Sequence, residues 1–516
     1  MGISRGSNNQ EDQYDYVVVG AGTAGSVMAS RLSERSDVRV LLLEAGPADG
    51  PEMMRVPASW PSLMGSEADW GYKTVAQQGL GGAIIPYPRG KVLGGCSSIN
   101  AMVHLRGHWS AIDAWAAAGA DGWGYDDLLP YFRRSEHTQG LDTRYRGVGG
   151  PMKPVFPATV HPAARAFFEA VQECGYPASA DLNGADAEGV AWYELTVANG
   201  ARQSAADAYL RPFLDRPNLT VVTGALARTL VMSASRCTGV QYEHGGELRT
   251  AEAAAEVVLC AGAVGSPHLL MLSGIGPADA LRAHGIQPVA HLPGVGANLS
   301  DHPLGFVIYS AAQPMPEGAQ ASNHGDTLAA VRTDPELAAP DLHILFADAP
   351  FNPRDPSALQ DQNGFTIWYA LLAPHSRGSV TLASGNPGIA PAIDPGLLAD
   401  ERDATGMLAG LRVAREVAGS KAMQPWRKEE VLPGAGIGDP GRLRRSGSLG
   451  SYFHPVGTCK MGTDASAVTD LQLRVHGIDQ LRVVDASVMP SLPGANTNAT
   501  VLAIAERAAD IIKRQN

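Results

Sequence analysis

No CxxC pair, no uninterrupted apolar run of eighteen residues and no surplus of basic charge occurs in this sequence, and each of these gaps closes off a class of protein. The cysteines (Cys96, Cys174, Cys237, Cys260 and Cys459) are odd in number and scattered, which excludes a zinc ribbon or a disulfide scaffold and fits a reducing compartment. Without a long apolar run, no transmembrane helix is expected. Asp and Glu outnumber Lys and Arg by 52 to 40, a net charge of −12 that repels phosphate backbones, so nucleic acid is not an expected partner. The opening MGISRGSNNQEDQYD is polar and has no apolar core of a signal peptide. A cytoplasmic location is the expectation.

What the chain does contain is material for a large core. Its 516 residues are 45% hydrophobic and 18% charged, which suits a globular protein of two or three domains. The 59 glycines imply many tight turns and close backbone approaches. The most informative stretch is YDYVVVGAGTAGSVMASRLSERSDVRVLLLEAGP, near the start. Tyr16–Val19 reads as a buried parallel strand, SVMASRLSE has helical spacing, and Val38–Leu43 reads as a second strand ending at Glu44.

Between strand and helix, Gly20, Gly22 and Gly25 form GxGxxG. The first glycine permits the turn, the second lets backbone approach a pyrophosphate, and the third lets helix and strand pack closely. Thr23 and Ala24 open the helix, whose free N–H groups suit phosphates, and Glu44 with Ala45 lies where a ribose diol would need an acceptor. A second match, GIGDPG at 436–441, follows no long strand and contains Pro440, so it reads as a loop. The first copy indicates a dinucleotide cofactor, FAD in preference to NAD(P). A nicotinamide enzyme would need a further dinucleotide site.

Two later stretches, PRGKVLGGCSSINAMVHLRGH (88–108) and GAVGSPHLLMLSGIGP (262–277), resemble the signatures of the glucose–methanol–choline (GMC) oxidoreductases. Further matches run in order to the end: WAAAGADGWGYDDLLPYFRRSE (115–136), RQSAADAYLRP (202–212), LPGVGANLSDH (292–302), SRGSVTL (376–382), HPVGTCKMG (454–462) and LRVVDASVMPSLPGANTNATVLAIAERAADII (481–512). The nearest flavour is the bacterial choline-dehydrogenase-like branch. The resemblance implies an α/β fold, α+β overall: a Rossmann-like FAD-binding domain (1–155, 215–310 and 450–516) carrying an inserted substrate domain (156–214 and 311–449) built on an antiparallel sheet with helices.

By the same resemblance, Leu93, Gly94, Gly95 and the run Asn100, Ala101, Met102, Val103 pack on the flavin. Trp70, Arg89, Phe453, Asp485, Ala486, Asn496 and Thr497 join the cofactor site, and backbone at Ala227 meets the adenine. Members with covalent flavin carry histidine where this chain has Ile99, so noncovalent FAD is implied. The usual His-Gly before GGP is here Arg146-Gly147.

His454 is the candidate base. Alcohol oxidation removes a hydroxyl proton and a carbon hydride, and imidazole is the side chain whose pKa lies nearest neutrality. The family motif, laid on NTNAT, assigns Asn498 as its partner, an amide donor to the developing alkoxide. A metal on His454 and Cys459 lacks further ligands, so none is expected. His104, His108 and His268 read as structural, and Cys96 as a small residue in a tight loop. The function implied is FAD-dependent oxidation of a primary alcohol to an aldehyde, with O2 or a quinone-like acceptor. The alternative on this scaffold is a hydroxynitrile lyase or a light-driven decarboxylase. Ser310, where a choline-binding carboxylate is expected, argues for a neutral alcohol, aryl, furan-type or small aliphatic.

Overall fold

Seven strands, drawn from three distant stretches of the chain, form the sheet that carries the glycine-rich turn. The computed structural model describes residues 13–355 and 363–515; the polar opening, residues 1–12, lies outside the described residues. In this sheet β1 (Gln13–Val19) lies between β2 (Val40–Leu43) and Glu247–Leu259, both parallel to it. Leu219–Val222 extends the parallel side beyond β2, and Leu481–Val483 pairs with Val257–Leu259. VVV in β1, VLLL in β2 and the VVL end of Glu247–Leu259 are buried, as strands covered on both faces must be. The other half of Glu247–Leu259 alternates toward solvent, because there it pairs antiparallel with Arg236–His244, which pairs in turn with Ala225–Ser233.

A second seven-stranded sheet is antiparallel. It runs Arg427–Leu432, Pro303–Ala311, Gly364–Leu371, Leu342–Ala347, Thr327–Val331, Gly189–Trp192, with Leu449–Ser451 also on Pro303–Ala311. Pro303–Ala311 therefore belongs to this sheet, although residues up to 310 were expected in the first unit. The amphipathic helices Glu401–Gly419 and Pro162–Glu173 bury their apolar residues over it.

Charge clusters fasten the frame. Buried Glu506 on the last helix (Thr497–Gln515) takes Arg31 at 2.8 Å, Arg134 at 3.1 Å and the Tyr209 hydroxyl at 2.8 Å, which sets that helix against α1 (Thr23–Leu32). Arg146, the departure from His-Gly, is fully buried among Glu136, Asp181 and Glu194. Glu136 also meets His104 and Arg106; burial raises its carboxyl, but the hydrogen bond with His104 and the charges of Arg106 and Arg146 outweigh that and hold it below the usual range. Buried charges of this kind persist only when paired. The second GxGxxG match, expected as a loop, is one only through Asp439; its last two residues, Pro440 and Gly441, open a short helix, Pro440–Arg445, capped by Asp439.

Candidate functional site

The glycine-rich turn is shaped by contacts no side chain would allow. Gly20 has φ +95°, and a Cβ there would lie 2.7 Å from the Cys260 carbonyl; one on Gly25 would lie 1.8 Å from the Gly20 carbonyl. Gly22, by contrast, meets only Gly95 at 4.0 Å and lines an open cavity. Two glycines close the turn and one leaves backbone free for a ligand at the N-terminus of α1.

That cavity, about 510 Å³, runs from Glu44 and Ala227 to His454. It also touches Gly20, Thr23, Ala24, Ala45, Trp70, Arg89, Gly95, Asn100, Ala101, Met102, Val103, Phe453, Asp485, Ala486, Asn496, Thr497 and Asn498. Gly25, Leu93 and Gly94 stand behind its wall: Leu93 is in the core, and a Cβ on Gly94 would strike Ser98 Oγ at 2.3 Å. His268, expected as a cap or packing residue, sits within the helix Gly262–Leu272 and lines the cavity. His108 caps the helix Trp109–Ala117, and Cys96 Sγ accepts the Gly90 N–H at 3.4 Å.

Glu44 is enclosed, its two oxygens accepting the N–H groups of Ala21 and Gly46 at 2.8 Å each. Burial still pushes its carboxyl up to about 7. Asp485 caps the helix Gly262–Leu272, accepting Gly262 N–H at 2.9 Å and the Ser266 hydroxyl at 2.5 Å. Its carboxylate thus braces the cavity wall.

At the other end the HPVG segment is held by main chain. Asp301 accepts the His454 N–H at 2.8 Å, the Tyr87 hydroxyl at 2.6 Å and the Ser451 hydroxyl at 2.5 Å. Phe453 has φ +64°, a left-handed conformation costly for a bulky residue, and Arg89 donates to its carbonyl at 2.8 Å. Met102, in the NAMV loop, has φ 62°, with its N–H on Asn100 Oδ1 at 3.0 Å. Buried Arg202 grips the same Asn100 oxygen at 2.9 Å.

His454 meets Asn496, whose Nδ2 lies 3.3 Å from Nε2, and His302, whose Nδ1 lies 3.0 Å from Nδ1. Asn498, expected beside His454, accepts instead from the Thr23 hydroxyl at 2.7 Å. Asn496 precedes the helix Thr497–Gln515 and reaches His454, whereas Asn498 lies in its first turn and reaches Thr23; both line the cavity. Burial, helped by His302, Arg89 and His343, holds His454 well below the ordinary imidazole range, so the ring is neutral.

Beyond His454 the cavity wall is aromatic: Trp60, Phe351 and Trp368 meet edge-on or tilted with centroids 5.3–6.1 Å apart, and the Tyr452 ring is 4.3 Å from that of His454. Leu304 completes the wall. Ser310 takes no part; its hydroxyl is on the backbone of Glu429, across the sheet edge. None of His302, Asp301, Trp60, Phe351 or Trp368 stands out in one dimension, although His302 ends the quoted LPGVGANLSDH. Among the described residues no group of three or more His, Cys, Asp or Glu could hold a metal ion, and no helix is long and apolar enough to cross a membrane.

Residues 14–304 and 374–505 match the N- and C-terminal models of the GMC oxidoreductase family. The chain is a GMC oxidoreductase. It is 40% identical to mitochondrial choline dehydrogenase of Homo sapiens, over 99% of this chain and 92% of that one. It is 39% identical to the oxygen-dependent choline dehydrogenase of Vibrio vulnificus (strain YJ016), over 97% and 94%. The crystal structure of pyridoxine 4-oxidase from Mesorbium loti superposes with TM-score 0.92 at 37% identity, covering 98% of this chain and all of that one. The chain is thus an FAD-dependent alcohol oxidoreductase. Its residues fit that cofactor: an unobstructed Gly22 at a helix N-terminus, Glu44 at the ribose distance in sequence, and a cavity reaching the NAMV loop.

Two results are expected at this GMC site. Ile99 is buried at the cavity wall and offers no nucleophile, so acid precipitation should release all FAD into the supernatant; flavin in the pellet would contradict noncovalent binding. Glu44→Ala should weaken FAD binding by about 1.5–3 kcal/mol. Because Glu44 is protonated below about 7 without ligand, while ribose hydroxyls favour its charged form, wild-type FAD affinity should rise as pH rises through that value. A flat pH profile, or unchanged affinity in the alanine variant, would place the ribose elsewhere.

Proposed function

We propose that this enzyme oxidises a neutral primary alcohol to its aldehyde, with His454 as base and Asn496 as donor to the alcohol oxygen. The observation that carries the reading is His454 Nε2 beside Asn496 Nδ2, in the cavity that also holds the glycine-rich turn. FAD, when bound, supplies the hydride acceptor; Gly22, the start of α1, Glu44 and Asn100–Val103 would hold it. Neutral His454 is in the state a base requires before it takes the hydroxyl proton. Asn496 offers an N–H to oxygen as negative charge builds there. Trp60, Phe351, Trp368 and Leu304 form an apolar wall that keeps water from the reacting oxygen and suits a planar, uncharged substrate. Among the described residues, the wall formed by Trp60, Leu304, Phe351, Trp368 and Tyr452 carries no carboxylate to balance a trimethylammonium group, which supports an aryl or furan-type alcohol over choline. The Rossmann-like unit and the antiparallel unit are read as FAD-binding and substrate-binding domains meeting at this cavity, with O2 or a quinone-like carrier as acceptor. A panel of neutral and cationic primary alcohols tests the assignment. Neutral aryl alcohols should give the higher kcat/KM, and a preference for choline would overturn the substrate class.

A further inference from the structure

His302 and His454 are 152 positions apart, yet their rings meet edge to face, with centroids 5.2 Å apart and planes at 86°. His302 is fully buried. Its Nε2 lies 3.0 Å from the Leu372 carbonyl, which can only accept, so Nε2 carries the proton. Burial holds this imidazole down to about 3, so the ring is neutral and its Nδ1 has only a lone pair. The proton in the 3.0 Å contact between the two Nδ1 atoms therefore belongs to His454, and the His454 lone pair is on Nε2, where Asn496 donates to it. Any other arrangement sets two N–H groups or two lone pairs against each other.

We propose that His302 is a positioning residue that locks His454 in the tautomer a base needs. The lock rests on rigid backbone. The Tyr452 N–H donates to the His302 carbonyl at 2.9 Å, Asp301 next door clamps the His454 N–H, and the strand Pro303–Ala311 pairs with both Leu449–Ser451 and Gly364–Leu371. Asp301 holds the backbone of His454, and His302 holds its ring. When the alcohol O–H bond breaks, its proton goes to His454 Nε2 and its electron pair stays on oxygen. That pair would form the C=O bond as the carbon gives up its hydride, for which FAD, when bound, would supply the acceptor. The new imidazolium then has Nδ1–H already directed at the His302 lone pair, which shares the charge.

This inference rests on His454 being the base, and the experiment separates the two. In the FAD-loaded enzyme, flavin reduction by the best alcohol substrate is measured anaerobically for His302→Leu and His302→Asn, in H2O and D2O. His302→Leu removes the acceptor, and its rate should fall about 10- to 100-fold, the range for loss of an orienting partner. KM should change little, and a larger solvent isotope effect should appear, because proton removal becomes slower. His302→Asn places an amide oxygen where Nδ1 was and should recover about 10-fold of that loss. A wild-type rate in His302→Leu, or an His302→Asn variant as slow as His302→Leu, would overturn the proposal. Should His302→Leu lose FAD, His302→Gln takes its place. Its amide reaches toward Leu372 rather than His454, and a rate matching His302→Asn would be equally contrary. If His454→Ala is slow while His302→Leu is not, the base stands and only the lock fails.

Discussion

His454→Ala will slow flavin reduction by about 10²–10⁴, the usual worth of a general base, while leaving FAD bound. The size follows from the chemistry: an alcohol proton is not lost to water near neutrality, and no other imidazole takes the place of His454 beside Asn496. His302 is spent on the Leu372 carbonyl and on His454 itself. Retention of FAD follows from how the segment is held. Asp301 binds the backbone N–H of residue 454, not its ring, and Arg89 binds the carbonyl of Phe453. The loss should appear before any acceptor is involved, in anaerobic rapid mixing. Wild-type speed would refute the role of base, and loss of FAD with poor folding would make His454 a buttress of its turn.

The neighbouring asparagines should separate into two phenotypes. Asn496→Ala should cost about 10–10³ in the same rate, because one donor to the developing alkoxide is removed. Asn498→Ala should leave the rate of the FAD-loaded enzyme much closer to wild type and act on FAD affinity, because its amide is tied to Thr23 at the start of α1. The decisive comparison is flavin reduction by each variant at full FAD occupancy. A larger rate loss in Asn498→Ala than in Asn496→Ala would restore the pairing implied by the family motif.

Where the chemistry is local, it was legible in one dimension. The turn through Gly20, Gly22 and Gly25 is encoded within a few residues by steric needs only glycine meets, and β1, α1 and β2 announce themselves by composition and period. The His454 segment was legible through its resemblance to a known motif. The motif match names Asn498 as the partner, while the amide that lies beside His454 belongs to Asn496, because a match in sequence carries no position in space for either side chain. His302 was hidden because its meaning lies in a contact across 152 residues, and the aromatic wall because Trp60, Phe351 and Trp368 come from three separate stretches. The strand Pro303–Ala311 straddles the boundary expected at 310 for a similar reason. Its pairing with Gly364–Leu371 is set by tertiary register, which local pattern does not contain.

The central claim, alcohol oxidation at an FAD site built around His454, is tested most directly by mixing the FAD-loaded enzyme anaerobically with a neutral aryl primary alcohol and following flavin colour and product together. The flavin should bleach in step with formation of one aldehyde per flavin, and the His454→Ala enzyme should bleach about 10²–10⁴ times more slowly. A product formed while the flavin stays oxidised, or no bleaching with any primary alcohol, would contradict it.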